Sequence, residues 1–367
     1  MKKRLLATVL AGAMVLSMAA CGSSNANKTE SAAASETANA STEAGAESGE
    51  TQAAAQDGDA SSELNIYMWQ QYISDDLIKN FETENNCKVN LSYMSDNADA
   101  INKLTAGGGD EYDLIMTCDA YMKSLIAGGY VEELNLDNIP NSSNINDTYW
   151  VSKGYCVPYL MNYIYVVYDS EIHSYNDLLQ SGLKISTIDG ARNLFPIALV
   201  ALGYDPNSTN ESEIAEAYEW LQKFNENVVA YGNAEQNLTN GTANVAVTYD
   251  GNASWAMKEK NTIKVADFTS DPIQLGIDLF VMPKGAKHVD LAEKFLNYIC
   301  TAEVMAKNLE EFPYSCPNDA AVAAASDDYK NDPARDFSYK ENVFFQEDVG
   351  DALTIYNDYY QKLKVGE

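Results

Sequence analysis

The chain has 367 residues, so two folded lobes of roughly 100 to 200 residues each are expected once the ends are set aside. It carries 54 acidic against 24 basic side chains, a net charge of −30, which argues against nucleic acid and anionic lipid headgroups as partners and favours a cationic one. The same acidity also keeps an exported protein soluble, so charge alone does not identify a ligand.

Residues 1–21 have the order of an export signal. Basic residues at positions 2–4 precede an apolar run over residues 5–18, and two alanines stand directly before Cys21. The run is too short for a stop-transfer helix. The pattern resembles a bacterial lipoprotein signal, in which cleavage before Cys21 lets that thiol carry lipid; ordinary secretion is the alternative. Residues 22–62 are rich in Ala, Ser, Thr, Glu and Gly, which predicts a disordered tether.

The remaining cysteines are odd in number and show no CxxC spacing, so no zinc or redox site is predicted. An oxidised pair is compatible with an extracytoplasmic protein, but most of these thiols are expected to be small buried residues. They are Cys87, Cys118, Cys156, Cys300 and Cys316.

From residue 64 onward, strand and helix patterns alternate. The predicted order is strand 64–69, helix 75–84, strand 89–93, helix 97–106 and strand 112–117. This βαβα order predicts a parallel sheet. The three glycines at 107–109 end the second helix, since they lack the spacing and the lysine of a phosphate-binding loop.

Residues 64–72 form the most informative stretch of this first lobe. A buried strand opens there into an aromatic, amide-rich loop, and the carboxyl end of such a strand is where α/β proteins usually bind ligands. Trp69 and Tyr72 either contact a flat or cationic ligand or pack into the core, and the stretch alone leaves both readings open. Ser74 with the two aspartates after it predicts the cap of the following helix.

The second lobe begins at a dense apolar strand over residues 159–168, predicted to cross between the lobes. Its predicted elements are strand 183–188, a helix from about Gly190, helix 211–225, strand 243–248 and a strand-to-loop junction at 249–252. A return crossing at 275–282, helices at 291–299 and 302–309, and a tail helix at 348–364 complete the prediction.

No catalytic motif is present. The two histidines, His173 and His288, have no partner at ligand spacing, and GxSxG, HExxH and GxGxxG are absent. The sequence therefore predicts no catalytic residue, no metal and no cofactor, although carboxylate pairs suited to glycoside cleavage meet only in the fold. Aromatic residues at strand ends, with carboxylates and amides nearby, instead suit an organic cation, because an ammonium over an aromatic face gains roughly 0.5 to 2 kcal/mol.

Residues 64–367 resemble the spermidine/putrescine-binding proteins, which are the extracellular receptors of polyamine ABC importers. The stretches that carry the resemblance are YMWQQYISDDLIKNFE, EYDLIM, VPYLMNYIYVVYDSEI, IDGAR, ALGYDPNSTNESEIAEAY, PYSCPNDAA and EDVGDALTIYNDYYQKLKVGE. The resemblance implies an α/β, two-lobed periplasmic-binding-protein-like fold of type II with the ligand cleft between the lobes. It implies lobe 1 over residues 63–163 and 278–315, and lobe 2 over residues 164–277 and 316–367.

The same resemblance implies a set of ligand-binding residues. Asp278 falls on the family's ammonium-binding carboxylate. The other implied positions are Trp69, Gln71, Tyr72, Cys118, Asn193, Tyr249, Tyr314 and Gln346.

Several of these positions depart from the family pattern. Gln71 stands where an acidic residue is common, Cys118 replaces a small hydroxyl residue, and Gly190 and Asn193 stand where polyamine receptors carry carboxylates. Tyr249 and Gly276 each replace a tryptophan. A dication needs an anionic partner near each end, so Asp119, Asp189 or Asp250 would have to turn inward to complete the site.

The expected role is therefore a monomeric lipoprotein, held at the outer side of the cell membrane, or on the periplasmic side if there is an outer membrane. It would deliver spermidine or putrescine to ABC permease subunits. Another amine or a small polar solute is the first alternative; a surface lipoprotein without transport function or a secreted enzyme is the second. An iron receptor would need His or paired Tyr ligands, and Tyr359 and Tyr360 lie instead in the tail that matches polyamine receptors.

Overall fold

The predicted alternation of strands and helices is present in the computed structural model, which describes residues 62–169, 171–268, 270–335 and 342–366. The predicted signal and its Cys21, and the tether up to residue 61, lie outside the described residues. All described residues belong to one compact unit, Gly58–Glu367.

The strands are β1 Ser62–Met68, β2 Cys87–Tyr93, β3 Leu114–Cys118, β4 Val157–Tyr168, β5 Ile185–Thr187, β6 Val228–Tyr231, β7 Val245–Tyr249, β8 Lys264–Val265, β9 Ile273–Val281 and β10 Val343–Phe344. The helices are α1 Asp75–Asn85, α2 Asn97–Thr105, α3 Met122–Ala127, α4 Ala191–Leu202, α5 Glu211–Asn225, α6 Ala234–Thr239, α7 Asp250–Glu259, α8 Val289–Ile299, α9 Ala302–Glu311, α10 Asp319–Ala324, α11 Asp327–Lys330 and α12 Ala352–Val365. Short 3-10 turns join several of these elements.

One mixed sheet runs through the molecule in the order β2-β1-β3-β9-β4-β7-β5-β6, with β10 paired to β9 and β8 paired to β4. The first three strands are mutually parallel, as the βαβα pattern predicts, and β5 is parallel to both β6 and β7. In the middle of the sheet, β9 is antiparallel to β3 and β4, and β4 is antiparallel to β7. The fold is thus α/β with one mixed sheet, in which groups of parallel strands lie on either side of an antiparallel centre.

Two hydrophobic cores lie along this sheet, and the strands β4 and β9 contribute to both. The first half of β4 and the end of β9 are buried in the first core, whereas the second half of β4 and Ile273 of β9 are buried in the second. Between the cores, Met161, Leu275 and Ile277 form a small third cluster. The molecule is therefore two-lobed, as predicted.

The lobe boundaries taken from the resemblance stay a prediction, and one segment packs differently from it. Residues 316–329 were expected in lobe 2, but Cys316, Ala321 and Tyr329 are buried in the first core. The chain reaches the second core again at Ala334, since that is the next buried residue of that cluster.

Local sequence explains most element boundaries. The α5 helix begins after Asn210, whose side chain accepts a hydrogen bond from the Ser212 N–H. Ser74 stands at the predicted N-cap of α1 but makes no side-chain capping bond; the two aspartates after it lie in the first turn, where they favour the helix dipole. The five cysteines that the structure describes form no disulfide, and four of them are buried.

The predicted strand-to-loop junction at 249–252 is wrong in one respect. Tyr249 ends β7 as expected, but α7 starts at once with Asp250, without a loop. The Asp-Gly-Asn run suggested a turn because such residues favour turns. Gly251 instead lies inside the helix, and glycine is required at that position because a β-carbon would come within 2.6 Å of the Tyr314 ring.

Candidate functional site

Four of the nine predicted site residues lie at or shortly after the carboxyl ends of strands. Trp69 follows β1, Cys118 ends β3, Tyr249 ends β7, and Asn193 lies in the first turn of α4, after β5. Tyr249 packs against both hydrophobic cores, so these strand ends meet where the two cores meet. This is the position at which open α/β sheets bind ligands.

Asp278 on β9 is the charged centre of the site. It is 6 % exposed, and its Oδ2 accepts hydrogen bonds of 2.7 Å from Tyr72 Oη and 2.7 Å from Asn162 Nδ2. Burial raises the pKa of Asp278 to about 6, while hydrogen bonds from the Tyr72, Asn162 and Trp69 side chains act in the opposite direction. A carboxylate held by neutral donors in this way is ready to receive a cation.

Hydrogen bonds from two buried side chains fix the backbone of Tyr72. Tyr159 Oη and Asn308 Nδ2 both donate to the Tyr72 carbonyl oxygen, at 2.9 and 3.0 Å. Asn308 Nδ2 also lies 3.1 Å from Tyr159 Oη. All three residues are buried, so the hydroxyl that contacts Asp278 sits on a rigid support.

Aromatic rings surround this carboxylate. The Tyr72 and Tyr314 rings are tilted, with centroids 5.0 Å apart, and Trp255 packs edge-on against Tyr314 at 6.0 Å. Trp69 is only half-buried, in contrast to Tyr72. The two residues therefore differ in role. Tyr72 packs in the core and contacts the Asp278 carboxylate, while Trp69 keeps part of its surface accessible.

Asp119 lies beside Asp278 and not at the far end of the site. Its Oδ1 accepts a hydrogen bond of 3.4 Å from the Ile277 N–H, and Cys118 pairs with Asp278 in the β3–β9 register. Burial raises the pKa of Asp119 to about 7, with a smaller contribution from the charge of Asp278. Burial, followed by these two carboxylates, also raises the pKa of the Cys118 thiol.

Tyr249 connects Asp278 with Asn193. Burial, and then the charge of Asp278, raise the pKa of the Tyr249 hydroxyl. Asn193 Nδ2 donates to Tyr249 Oη at 3.2 Å and to the Asp189 carbonyl oxygen at 2.7 Å. Tyr249 and Asn193 are therefore the neutral polar groups on the second-lobe side of the site.

Arg192 supplies a positive charge on the same side. Its Nη2 donates to Asn207 Oδ1 at 2.7 Å and to the Glu347 carbonyl oxygen at 3.2 Å, and its guanidinium stacks on Tyr356. Its charge opposes the rise in the pKa of Cys118 and of Tyr121, so it faces the end of β3. Gln346 supports it by donating to the Arg192 carbonyl oxygen at 2.6 Å.

The other two carboxylates considered for a second ammonium are already engaged. Asp250 is fully buried and accepts from Arg335 Nη1 at 2.7 Å and from the Ser315 N–H at 2.8 Å. Asp189 is exposed and pairs with Lys364 Nζ at 3.1 Å. Each of these carboxylates therefore already has a basic partner, although Asp250 Oδ1 is buried without a hydrogen-bond partner among the described residues.

Gln71 stands apart from the other predicted residues. It is exposed and has a left-handed backbone with φ of 58°. Gln346 contacts Arg192 and thereby reaches the site only indirectly. Each of the remaining predicted residues lies next to Asp278, Tyr314 or Tyr249.

Two contributors were missed in the sequence. Asn162 is the one amide in a strand of apolar and aromatic residues, and a buried amide needs a partner, which here is Asp278. A single amide in an otherwise apolar and aromatic strand was the sequence signal that could have indicated Asn162. Arg192 was quoted only as part of IDGAR, and no local pattern indicates which way its guanidinium points.

Among the described residues, no cluster of three or more His, Cys, Asp or Glu side chains is arranged to hold a metal ion. His288 pairs with Asp113, with Nδ1 3.1 Å from its carboxylate, at the N-terminus of α8 and away from the site. No helix in the described part of the chain combines the length and apolar character needed to span a bilayer.

A two-lobed α/β fold with aromatic and acidic side chains where its lobes meet defines the class of periplasmic-type solute-binding proteins. Residues 76–336 match the family model for bacterial extracellular solute-binding proteins, and the chain belongs to that family.

Its relatives are polyamine receptors by name. The chain is 30% identical over 320 residues to the spermidine/putrescine-binding periplasmic protein of Salmonella typhimurium, covering 83% of this chain and 92% of that protein. It is 28% identical over 327 residues to spermidine/putrescine-binding periplasmic protein 1 of Haemophilus influenzae, covering 84% and 90%. A solved structure from Listeria monocytogenes, assigned to a spermidine/putrescine ABC transporter, superposes with a TM-score of 0.77 at 27% identity, covering 84% and 100%.

Proposed function

We propose that this protein is the solute receptor of an ABC importer and captures an organic amine of the polyamine class. The observation that carries the proposal is Asp278, a buried carboxylate hydrogen-bonded only by neutral groups and ringed by Trp69, Tyr72 and Tyr314. The names of its relatives point to the same ligand class.

The chemistry of this arrangement supports an ammonium. A charge-assisted hydrogen bond contributes roughly 1.5 to 3 kcal/mol, and an ammonium over an aromatic face roughly 0.5 to 2 kcal/mol. Several such contacts, reduced by the entropy lost on binding, reach about 8 kcal/mol, which is micromolar affinity. Such an affinity suits a receptor that must also release its ligand.

The remaining parts of the proposal concern place and partners. The protein would act as a monomer, without catalytic turnover, and pass its ligand to permease subunits. Cys21 would carry lipid and hold the receptor at the outer face of the membrane through the 22–62 segment. The family's extracellular character and the order of residues 1–21 support this placement.

A ligand screen by thermal unfolding tests the function. A ligand at 1,000 times its Kd stabilises the native state by about 4 kcal/mol, a shift of several degrees. Putrescine, spermidine, cadaverine, agmatine and their N-acetyl derivatives should include at least one that raises the melting temperature, whereas sugars and neutral amino acids should not. A response to neutral solutes alone would leave a receptor for another ligand class, and consumption of an amine with turnover would replace the receptor by an enzyme.

A further inference from the structure

The carboxyl groups of the site are gathered at one end. Asp278 and Asp119 approach each other through the Ile277 N–H, and both lie on the side formed by β3 and β9. Both carboxyl groups therefore lie at the same end of the site, where the first ammonium of a ligand would bind. A second ammonium on the same ligand would have to find its partner elsewhere.

Neither of the two carboxylates considered for the opposite end is free of a basic partner. Asp189 is paired with Lys364, and Asp250 with Arg335. Arg192, the neighbour of Asn193 in the chain, adds a positive charge on this side, where its guanidinium lies 5.1 Å from the centre of the Tyr356 ring, and this charge disfavours a second cation. A ligand with ammonium groups at both ends is therefore mismatched to this half of the site.

The hydrogen-bonding groups at this end have a defined polarity. The Asp189 carbonyl oxygen can only accept, so Nδ2 of Asn193 must point toward it, and Nδ2 also donates to Tyr249 Oη. The hydroxyl hydrogen of Tyr249 remains to be donated, and Asn193 Oδ1 remains to accept. One donor and one acceptor side by side match an amide, whose carbonyl accepts and whose N–H donates.

We infer that the ligand is a mono-N-acylated diamine, with its free ammonium on Asp278 and Asp119 and its amide on Tyr249 and Asn193. Asn193 is then the residue that selects an uncharged far end over a charged one. This inference rests on the proposed function and narrows its ligand class.

The test is a set of calorimetric titrations with four ligands that share a four-carbon chain. N-acetylputrescine has one ammonium and an amide, putrescine two ammonium groups, 4-aminobutanoate a carboxylate, and butylamine no polar far end. N-acetylputrescine should bind at least about tenfold more tightly than each of the others, because only it satisfies both ends. Equal or tighter binding of putrescine, or of 4-aminobutanoate, overturns the inference.

Substitution of Asn193 tests its role. Asn193→Asp places a carboxylate at the far end, so the preference for N-acetylputrescine over putrescine should fall by about tenfold or reverse. Asn240→Asp adds the same charge at an exposed site where the side-chain oxygen still accepts from the Thr242 N–H, and it should leave the preference unchanged. Asn193→Ala removes the amide without adding charge and should also reduce the preference. It tests the role of Asn193 even if the aspartate variant folds poorly.

Different results would contradict the inference about the far end and the proposed amine receptor. If putrescine binds and N-acetylputrescine does not, the inference about the far end is wrong and the proposed amine receptor stands. If none of the amines binds to the wild type, the proposed function is wrong, and the inference falls with it.

Discussion

Folding places Asp278 in a buried environment that disfavours its ionised form. The ordinary pKa of an aspartate is near 3.8, and burial raises that of Asp278 to about 6. Well above pH 6 the carboxylate is ionised in both the folded and the unfolded chain, so folding carries a penalty of about 3 kcal/mol. An ammonium that pairs with Asp278 removes this penalty, which links ligand binding to stability.

The first prediction is that Asp278→Asn weakens amine binding by at least about 2 kcal/mol without destabilising the unliganded protein. The amide keeps the shape and removes the buried charge, so its melting temperature at pH 8 should equal or exceed that of the wild type. The difference should shrink as the pH falls from 6 toward 4, because the wild-type carboxyl becomes protonated. Asp147→Asn, which removes an exposed carboxylate together with its surface ion pair to Lys153, is the control for loss of a surface charge. A large loss of stability in Asp278→Asn at pH 8 would contradict the penalty.

The second prediction concerns the pH dependence of binding. An ammonium favours the ionised forms of Asp278 and Asp119, whose pKa values are raised to about 6 and about 7. Affinity should therefore fall as the pH is lowered from 8 to 5, by up to about tenfold per pH unit for each group below its pKa. The amine itself stays protonated throughout this range.

Calorimetry at pH 8, 7, 6 and 5 measures this dependence, and buffers of different ionisation enthalpy reveal the released protons. Asp119→Asn should flatten the part of the curve near pH 7 and leave the part near pH 6. An affinity that does not change between pH 8 and pH 5 would show that neither carboxyl contacts the ligand's charge.

At the scale of elements, two glycines at the site differ in their backbone. Gly190 precedes α4 with φ of 107°, a conformation that other residues rarely adopt. Gly276 lies inside β9, where a β-carbon would have no neighbouring atom within 4 Å, and the alternation of a strand places it on the same face as Asp278. Gly276 therefore leaves open space beside the carboxylate.

The third prediction compares Gly190→Ala with Gly276→Ala. The first should destabilise the protein by about 1 to 2 kcal/mol, because a β-carbon is strained at that φ. The second should be neutral or stabilise by up to about 1 kcal/mol, because glycine weakens a strand interior. Urea unfolding of both variants measures the difference. Equal effects would show that backbone strain at Gly190 does not matter.

The elements also show how far the sequence could predict the fold. Helix α5 was predicted with its observed bounds, since Asn210 caps it and its apolar residues recur at helical spacing. The start of helix α7 was missed because Gly251 favours a turn locally, whereas the glycine is needed for the close approach of the Tyr314 ring, which lies far away in the sequence. Asp278 was predicted through the family resemblance, but its partner Asn162 lies 116 positions away and is joined to it only by the β4–β9 pairing.

At the scale of the molecule, contacts between the two lobes hold the site together. Ser124 in α3 donates to Asp348, which precedes α12, at 2.9 Å. Asp250, at the start of α7, accepts a hydrogen bond of 2.7 Å from Ser315 Oγ, and Ser315 lies between Tyr314 and Cys316 of the first core. Strands β4 and β9 pass through both cores beside these contacts. This arrangement suits a receptor that closes over its ligand by bending near the two crossing strands.

The fourth prediction concerns the anchor. If Cys21 carries lipid, wild-type protein should stay with the membrane, and Cys21→Ser should appear in the medium or remain unprocessed. Intact-mass analysis of membrane extracts should show a mature chain that begins at Cys21 with added lipid mass. A soluble, cleaved wild-type protein with an unmodified Cys21 thiol would contradict the anchor.

The central claim is that Asp278 captures the ammonium of an organic amine. Isothermal titration of the wild type and of Asp278→Asn with the amine that gives the largest thermal shift tests this claim most directly. The account predicts saturable binding in the micromolar range to the wild type, about 8 kcal/mol, and a loss of at least about 2 kcal/mol in the variant. Equal affinities of the two proteins for that amine would contradict it.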